Sequence, residues 1–247
     1  MKFNYQLIIE YDGTSFVGWQ IQKNGISVQE IVESTLKKYF KKKIKIIGSG
    51  RTDAGVHAKN QSANFFVDKK IKNLISFIES INFFLKKYSI SIISIKRKKI
   101  NFHSRFSAKK RIYQYLIINR QGSLSIDKNR AWLVKKKINF GLLKKGAQIL
   151  SGTHDFSTFR SSSCSAKSPI KTMKKINIKK NKENFYITFE SKSYLQSQIR
   201  SMVGCLKYLG TEKWNLKKFK EVLKSKNRNS CAPIAPPSGL YLVEIKY

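Results

Sequence analysis

The sequence predicts an α+β protein made of two similar halves, each a mainly antiparallel sheet with helices packed on it. Two observations carry this expectation. Segments alternating apolar and polar residues trade places with segments at helical spacing along all 247 residues, and the order that opens the chain restarts near residue 110. A chain of this length can bury a sizeable core in each half. The expected division is residues 1–100 and 101–247, with the charge run Lys96–Lys99 suited to a hinge.

The opening "KFNYQLIIEYD" alternates Phe3, Tyr5, Leu7, Ile9 and Tyr11 with mostly polar neighbours, the pattern of a half-buried strand. Turn residues follow in "DGTSFVGWQ". Ser27 with Glu30 forms a capping box, and Val28, Ile31, Val32, Leu36 and Tyr39 continue at helical spacing. Ile44 to Ile47 reads as a strand, residues 71–86 as an amphipathic helix, and "SISIISIKR" as a returning strand. The second half opens on the strand "KRIYQYLIIN". A helix near 139–149, strands near 173–180 and 184–190, helices at 194–209 and 215–224, and the closing strand "GLYLVEIKY" complete it. The Ser-rich stretch 160–169 is a loop, and "APIAPPSG", holding all but one of the prolines, is a rigid non-helical approach to the last strand.

The chain carries 41 lysines and nine arginines against 14 acidic residues, a formal charge of +36. Cations that neutralise phosphates release condensed counterions, so a polyanion is the first candidate partner. Heavy use of lysine, isoleucine and asparagine also fits an AT-rich coding sequence, so the scarce arginines are the more informative cations. Cys164, Cys205 and Cys231 are odd in number and have no C-x-x-C spacing, which argues against a disulfide framework or a zinc site and for a reducing compartment. No run approaches the length of a membrane span, and the start has no secretory signal pattern; a cytoplasmic location is expected.

The segment "GSGRTDAGVHA" (48–58) sets Asp53 two residues after Arg51 in a glycine-rich loop, although the chain is poor in acids. Glycines let a backbone approach a ligand closely, but Asp53 is equally readable as an ordinary turn aspartate. The loop is not a phosphate-binding P-loop, since G-x-x-x-x-G-K-[ST] is missing. "FHSRFSAKKRIYQY" interleaves aromatics with Arg105 and Arg111, a composition for stacking bases and holding phosphates, or for a strand with one wet face. "SGTHDFSTFR" gathers His154, Asp155 and Arg160 without a metal-ligand pattern. Arg200 sits beside the apolar stripe of its helix, and a half-buried arginine needs an acidic partner or a phosphate.

In this order, "YDGTSFVGWQ" (11–20), "GRTDAGVHA" (50–58), "FHSRFSAKKRIYQYLI" (102–117), "GTHDFSTFR" (152–160), "RSMVGCL" (200–206) and "GLYL" (239–242) resemble the tRNA pseudouridine synthase A family. The resemblance implies isomerisation of uridine to pseudouridine at positions 38, 39 and 40 in the anticodon stem-loop of tRNA. It implies that Asp53 is the catalytic aspartate, that Arg51 helps flip out the target nucleotide, and that Tyr113 stacks on the flipped base. Arg200 pairs with the aspartate and keeps it ionised, and Leu240 lines the uracil pocket in a basic cleft between the halves. A homodimer without metal or cofactor is implied as well. The chain departs from the family at Gln196, Ser197, Gln198 and Ile199, where histidines and methionine are common. A non-catalytic RNA-binding or ribosome-associated protein is the alternative that charge and aromatics alone support, and it assigns no role to Asp53. An aspartate-dependent hydrolase would need metal-binding carboxylates that so acid-poor a chain can hardly provide.

Overall fold

A computed structural model describes residues 2–247. In chain order the elements are β1 (Phe3–Tyr11), α1 (Val28–Phe40), β2 (Ile47–Gly48), β3 (His57–Val67), α2 (Leu74–Leu85), β4 (Ile90–Lys98) and β5 (Lys110–Ile118). There follow β6 (Trp132–Leu133), α3 (Phe140–Leu150), β7 (Gly152–Asp155), β8 (Ile170–Asn181), β9 (Asn184–Ser191), α4 (Gln198–Gly210), α5 (Leu216–Lys224) and β10 (Leu240–Lys246). These form two units, one made by the chain up to Lys109 together with Tyr241–Tyr247, the other by Lys110–Leu240. The run Lys96–Lys99, expected to be a hinge, instead continues β4 as far as Lys98.

In the first unit the strands lie in the order β4, β1, β3, β10, with β2 also paired to β3. All pairs are antiparallel except β10 with β3, which run parallel through Tyr241 opposite His57 and Leu242 opposite Ala58. The register sets Tyr5 against Phe65 and Leu7 against Ala63. Phe65 stacks on Phe77 of α2, with ring centroids 6.2 Å apart, and meets Phe40 of α1 at 6.1 Å, so the helices cover that face.

The other face is polar and buried as well. Ser62 and Asn64 of β3 are fully buried on it, and Gln61, which alternation puts on the Phe65 side, is fully buried too. Gln6 donates to Ser62 Oγ (2.8 Å), Asn64 donates to Asn4 Oδ1 (3.0 Å), and Asn4 donates to the carbonyls of Lys99 (3.1 Å) and Phe102 (2.8 Å). A buried polar group without such a partner would cost about 1–3 kcal/mol, so the side chains that make β3 look like a loop in sequence are tolerated only because they pair with one another. This is why the sequence reading passes over an eleven-residue strand.

Local chemistry sets the helix starts. Ser27 Oγ accepts from Glu30 N (3.2 Å) and the Glu30 carboxylate reaches back to Ser27 N (3.5 Å), the expected capping box. α2 starts at Leu74, later than expected, because Asn73 caps the amides of Ile75 (2.9 Å) and Ser76 (3.0 Å), while Ile71 N donates to Tyr5 Oη (3.0 Å). Of the expected strand Ile44–Ile47 only Ile47 pairs with β3; Ile46 N donates to the Glu33 carboxylate (3.0 Å) instead.

The second unit orders its strands β5, β9, β8, β7, with β6 parallel to β5 and the other pairs antiparallel. Leu143 and Leu150 of α3, Met202, Leu206 and Leu209 of α4, and Phe219 of α5 are fully buried, each such side chain contributing roughly 1.5–3 kcal/mol. α4 starts at Gln198, four residues later than its apolar spacing suggests. Ser197 has φ +60°, Leu195 N donates to the Gln198 side chain (2.8 Å), and Tyr194 donates to the carbonyl of Arg111 (3.1 Å).

Candidate active site

Asp53 lies in the loop between β2 and β3, half-buried, with Arg51 exposed beside it. Its backbone is held by the segment that follows β1. Trp19 N donates to the carbonyl of Thr52 (3.1 Å), Gly55 N to that of Phe16 (3.2 Å), and Tyr11 Oη shares a hydrogen bond with Thr52 Oγ1 (2.8 Å). From the opposite side Gln61 donates to the carbonyl of Gly50 (2.7 Å) and Ser49 N to that of Ser62 (2.8 Å). Val56 N closes a turn on the carbonyl of Asp53 (3.1 Å), with Gly55 in the left-handed region at φ +73°. Gly18, at φ +113°, comes so near that a Cβ there would stand 2.5 Å from the Thr52 carbonyl oxygen.

The motifs "YDGTSFVGWQ" and "GRTDAGVHA" are therefore the two sides of one clamp. His57 closes its end: Nδ1 accepts from Gly13 N (3.0 Å) and stands 3.2 Å from Asp12 Oδ1.

Tyr113, Arg200 and Leu240 belong to the second unit. Tyr113, on β5 opposite Phe189 of β9, is buried, and the Tyr194 ring meets it edge-on at 5.2 Å. Burial, reinforced by Tyr113 and Glu190, holds the Tyr194 hydroxyl well above its ordinary range, so Tyr194 is a neutral wall for Tyr113.

Arg200, in the first turn of α4, is clasped twice by one residue of the proline-rich segment. Its Nε donates to the Ala235 carbonyl (2.8 Å), and Ala235 N donates to the Arg200 carbonyl (3.1 Å). That segment is also tied by Tyr115, whose hydroxyl donates to the carbonyl of Pro236 (2.8 Å), and it delivers the buried Leu240. Burial raises the Tyr115 hydroxyl while the Arg200 charge opposes the rise. Cys205 of α4 and Cys231, just before the segment, are free thiols whose sulfurs stand 3.5 Å apart.

Other residues singled out in the sequence serve the fold. His154 Nε2 bonds the Ser151 carbonyl (2.8 Å), Asp155 Oδ1 accepts from Ser157 N (2.8 Å), and Arg160 donates to the carbonyl of Cys164 (2.9 Å). Among the described residues no group of three or more His, Cys, Asp or Glu is placed to hold a metal ion, and no helix is long and apolar enough to cross a membrane. The sequence reading missed Gln61 and Ala235, which hold the loop of Asp53 and the guanidinium of Arg200. Nothing in their residue types distinguishes them.

The sequence model of the tRNA pseudouridine synthase family matches residues 7–107 and 147–247. The chain belongs to that family. It is 54% identical over 245 residues, 99% of this chain and 100% of the relative, to the tRNA pseudouridine synthase A of Pelagibacter ubique (strain HTCC1062). Over 243 residues it is 41% identical to the tRNA pseudouridine synthase A of Parvibaculum lavamentivorans and 42% to that of Methylocella silvestris, with 98% of all three chains covered. The two matched stretches fit two similar halves. Membership in the tRNA pseudouridine synthase family makes the protein an isomerase that forms pseudouridine in tRNA, which removes the non-catalytic RNA-binding alternative.

Proposed function

We propose that this chain isomerises uridine to pseudouridine at positions 38, 39 and 40 in the anticodon stem-loop of tRNA, with Asp53 as the catalytic carboxylate. The observation that carries this reading is the clamp. The amides of Ser49, Gly55 and Val56 and the carbonyls of Gly50, Thr52 and Asp53 all have backbone or side-chain partners, so Asp53 stands on a backbone with little freedom to relax. A turn aspartate with only a local role needs no such support; a reacting group does.

The reaction breaks the bond from C1′ to N1 and forms one from C1′ to C5. The C5 proton leaves and N1 takes up a proton, with no net redox change. An ionised carboxylate serves either route, attack at C1′ or removal of a sugar proton. Tyr113 stacks on the flipped base and Leu240 lines the uracil pocket, retaining the detached base while it turns. Arg200 pairs with Asp53. Arg51 helps extrude the nucleotide, a step that costs a few kcal/mol of unpairing and unstacking. The protein acts as a homodimer in the cytoplasm.

The test uses tRNA labelled with tritium at C5 of uridine, followed by mapping of pseudouridine. Release from substrates carrying uridine at 38, 39 or 40, with none from a tRNA lacking all three, is the expected result. Modification elsewhere would overturn the positional assignment.

A further inference from the structure

We infer that Phe106 stacks on an unpaired base of the bound tRNA, a nucleotide other than the target uridine, with Arg105 beside it for the adjoining phosphate. The inference rests on tRNA being the substrate. It starts from the connection between β4 and β5, whose base is buried and tied down. Asn4 donates to the Phe102 carbonyl (2.8 Å), Ser104 N donates to Asn64 Oδ1 (2.9 Å), and Tyr247 Oη donates to the Ser104 carbonyl (3.1 Å). The Phe102 ring packs on Tyr247 at 4.9 Å.

The tip is equally ordered. Ser107 N donates to the His103 carbonyl (2.9 Å), His103 N to Ser107 Oγ (3.1 Å), and His103 Nδ1 accepts from the amides of Arg105 (3.1 Å) and Phe106 (3.3 Å). On this tied loop Phe106 is 74% exposed. Its ring lies 4.4 Å from that of His103 and 5.5 Å from the Arg105 guanidinium carbon, contacts that leave most of its surface open.

A loop with so many fixed backbone groups cannot fold Phe106 away, so the apolar ring is held out in water until something covers it. The flanking charge says what. Arg105, Lys99 and Lys109 are exposed and cationic, and Lys98 Nζ lies 5.0 Å from the Phe102 ring. An aromatic face among cations suits single-stranded nucleic acid, whose bases stack on the ring while the phosphates meet the charges. A basic protein surface would be repelled by these cations.

The full chain and an unmodified tRNA transcript suffice for the test, with Kd measured over a range of salt concentrations. Phe106→Ala should raise Kd by about 5- to 150-fold, the range for losing one stacked base, and by the same factor at every salt concentration, because no phosphate contact is removed. Phe106→Trp should bind as well as wild type or better, and Phe106→Leu should resemble Ala. Arg105→Ala should lower the slope of log K against log salt by about one. The melting temperature of all four variants should match wild type. Wild-type affinity in Phe106→Ala, full affinity in Phe106→Leu, or a change confined to self-association would overturn stacking. Tritium release by the wild type, measured in parallel, separates the two claims. Turnover with an unaffected Phe106→Ala rejects only the stacking contact, whereas a stacking loss in a protein without turnover upholds the contact and rejects the catalytic assignment.

Discussion

Asp53 stands on a loop held backbone to backbone, whereas Arg200 stands on a helix and is held through its own guanidinium. In the first unit the segment from Tyr11 to Trp19 grips the main chain around Asp53, so the carboxylate can change chemically without loosening its support. In the second, Arg200 Nε is itself the bolt that joins α4 to the segment at Ala235, so altering this side chain alters the structure around it. One candidate site residue is separable from its scaffold and the other is not.

Asp53→Asn should break the comparison most visibly. Tritium release should fall by at least about a hundredfold, the lower range for losing an acid–base or nucleophilic group, while tRNA affinity stays within a few-fold. Appreciable turnover in this variant would remove Asp53 from the chemistry.

Arg200→Ala should lose turnover and stability together. The buried Ala235 carbonyl forfeits its charged donor, at about 1–3 kcal/mol, readable as a lower urea midpoint at unchanged m-value. Arg200→Lys should keep the charge and still lose the bond, because an ammonium lacks the planar Nε–H that reaches Ala235. A variant that turns over slowly but unfolds like wild type would show that the clasp is dispensable.

Gly18→Ala tests the backbone side. Its φ of +113° and its approach to Thr52 should cost about 1–3 kcal/mol and reduce turnover through misplacement of Asp53, with that carboxylate intact. Equal activity in Gly18→Ala and wild type would mean that the clamp does not position the reagent.

The smallest effect belongs to Asp155. Its carboxyl is held below its ordinary value of 3.8 by the Ser157 side chain and amide, helped by Lys226 at 3.8 Å. A lowered folded-state value contributes stability above the unfolded value, and that contribution is lost as pH falls through the folded one. Asp155→Asn should therefore be slightly less stable than wild type at neutral pH, with the difference shrinking below about pH 4. A difference that persists in acid would assign the effect to packing.

Much of this molecule is legible in its amino-acid order, and the misses have a common cause. The capping box at Ser27, the alternation of β1 and the apolar face of α1 are local, and each appears close to where its spacing puts it. β3 escapes because Gln61, Ser62 and Asn64 look solvated until their partners at Gly50, Gln6 and Asn4 are known. The late start of α4 escapes because Tyr194 and Leu195 are engaged by Arg111 and Gln198, so the apolar stripe overstates the helix.

By itself, the sequence determined the α+β class, the family and the residues to suspect, because periodicity, capping and motif order are written in neighbouring positions. Only the tertiary structure decided that "YDGTSFVGWQ" is the cradle of the Asp53 loop, that Ala235 clasps Arg200, and that Phe106 is held out in solvent on a tied loop. Each of these depends on hydrogen bonds between residues far apart in the chain, and no residue type announces which distant carbonyl it will find.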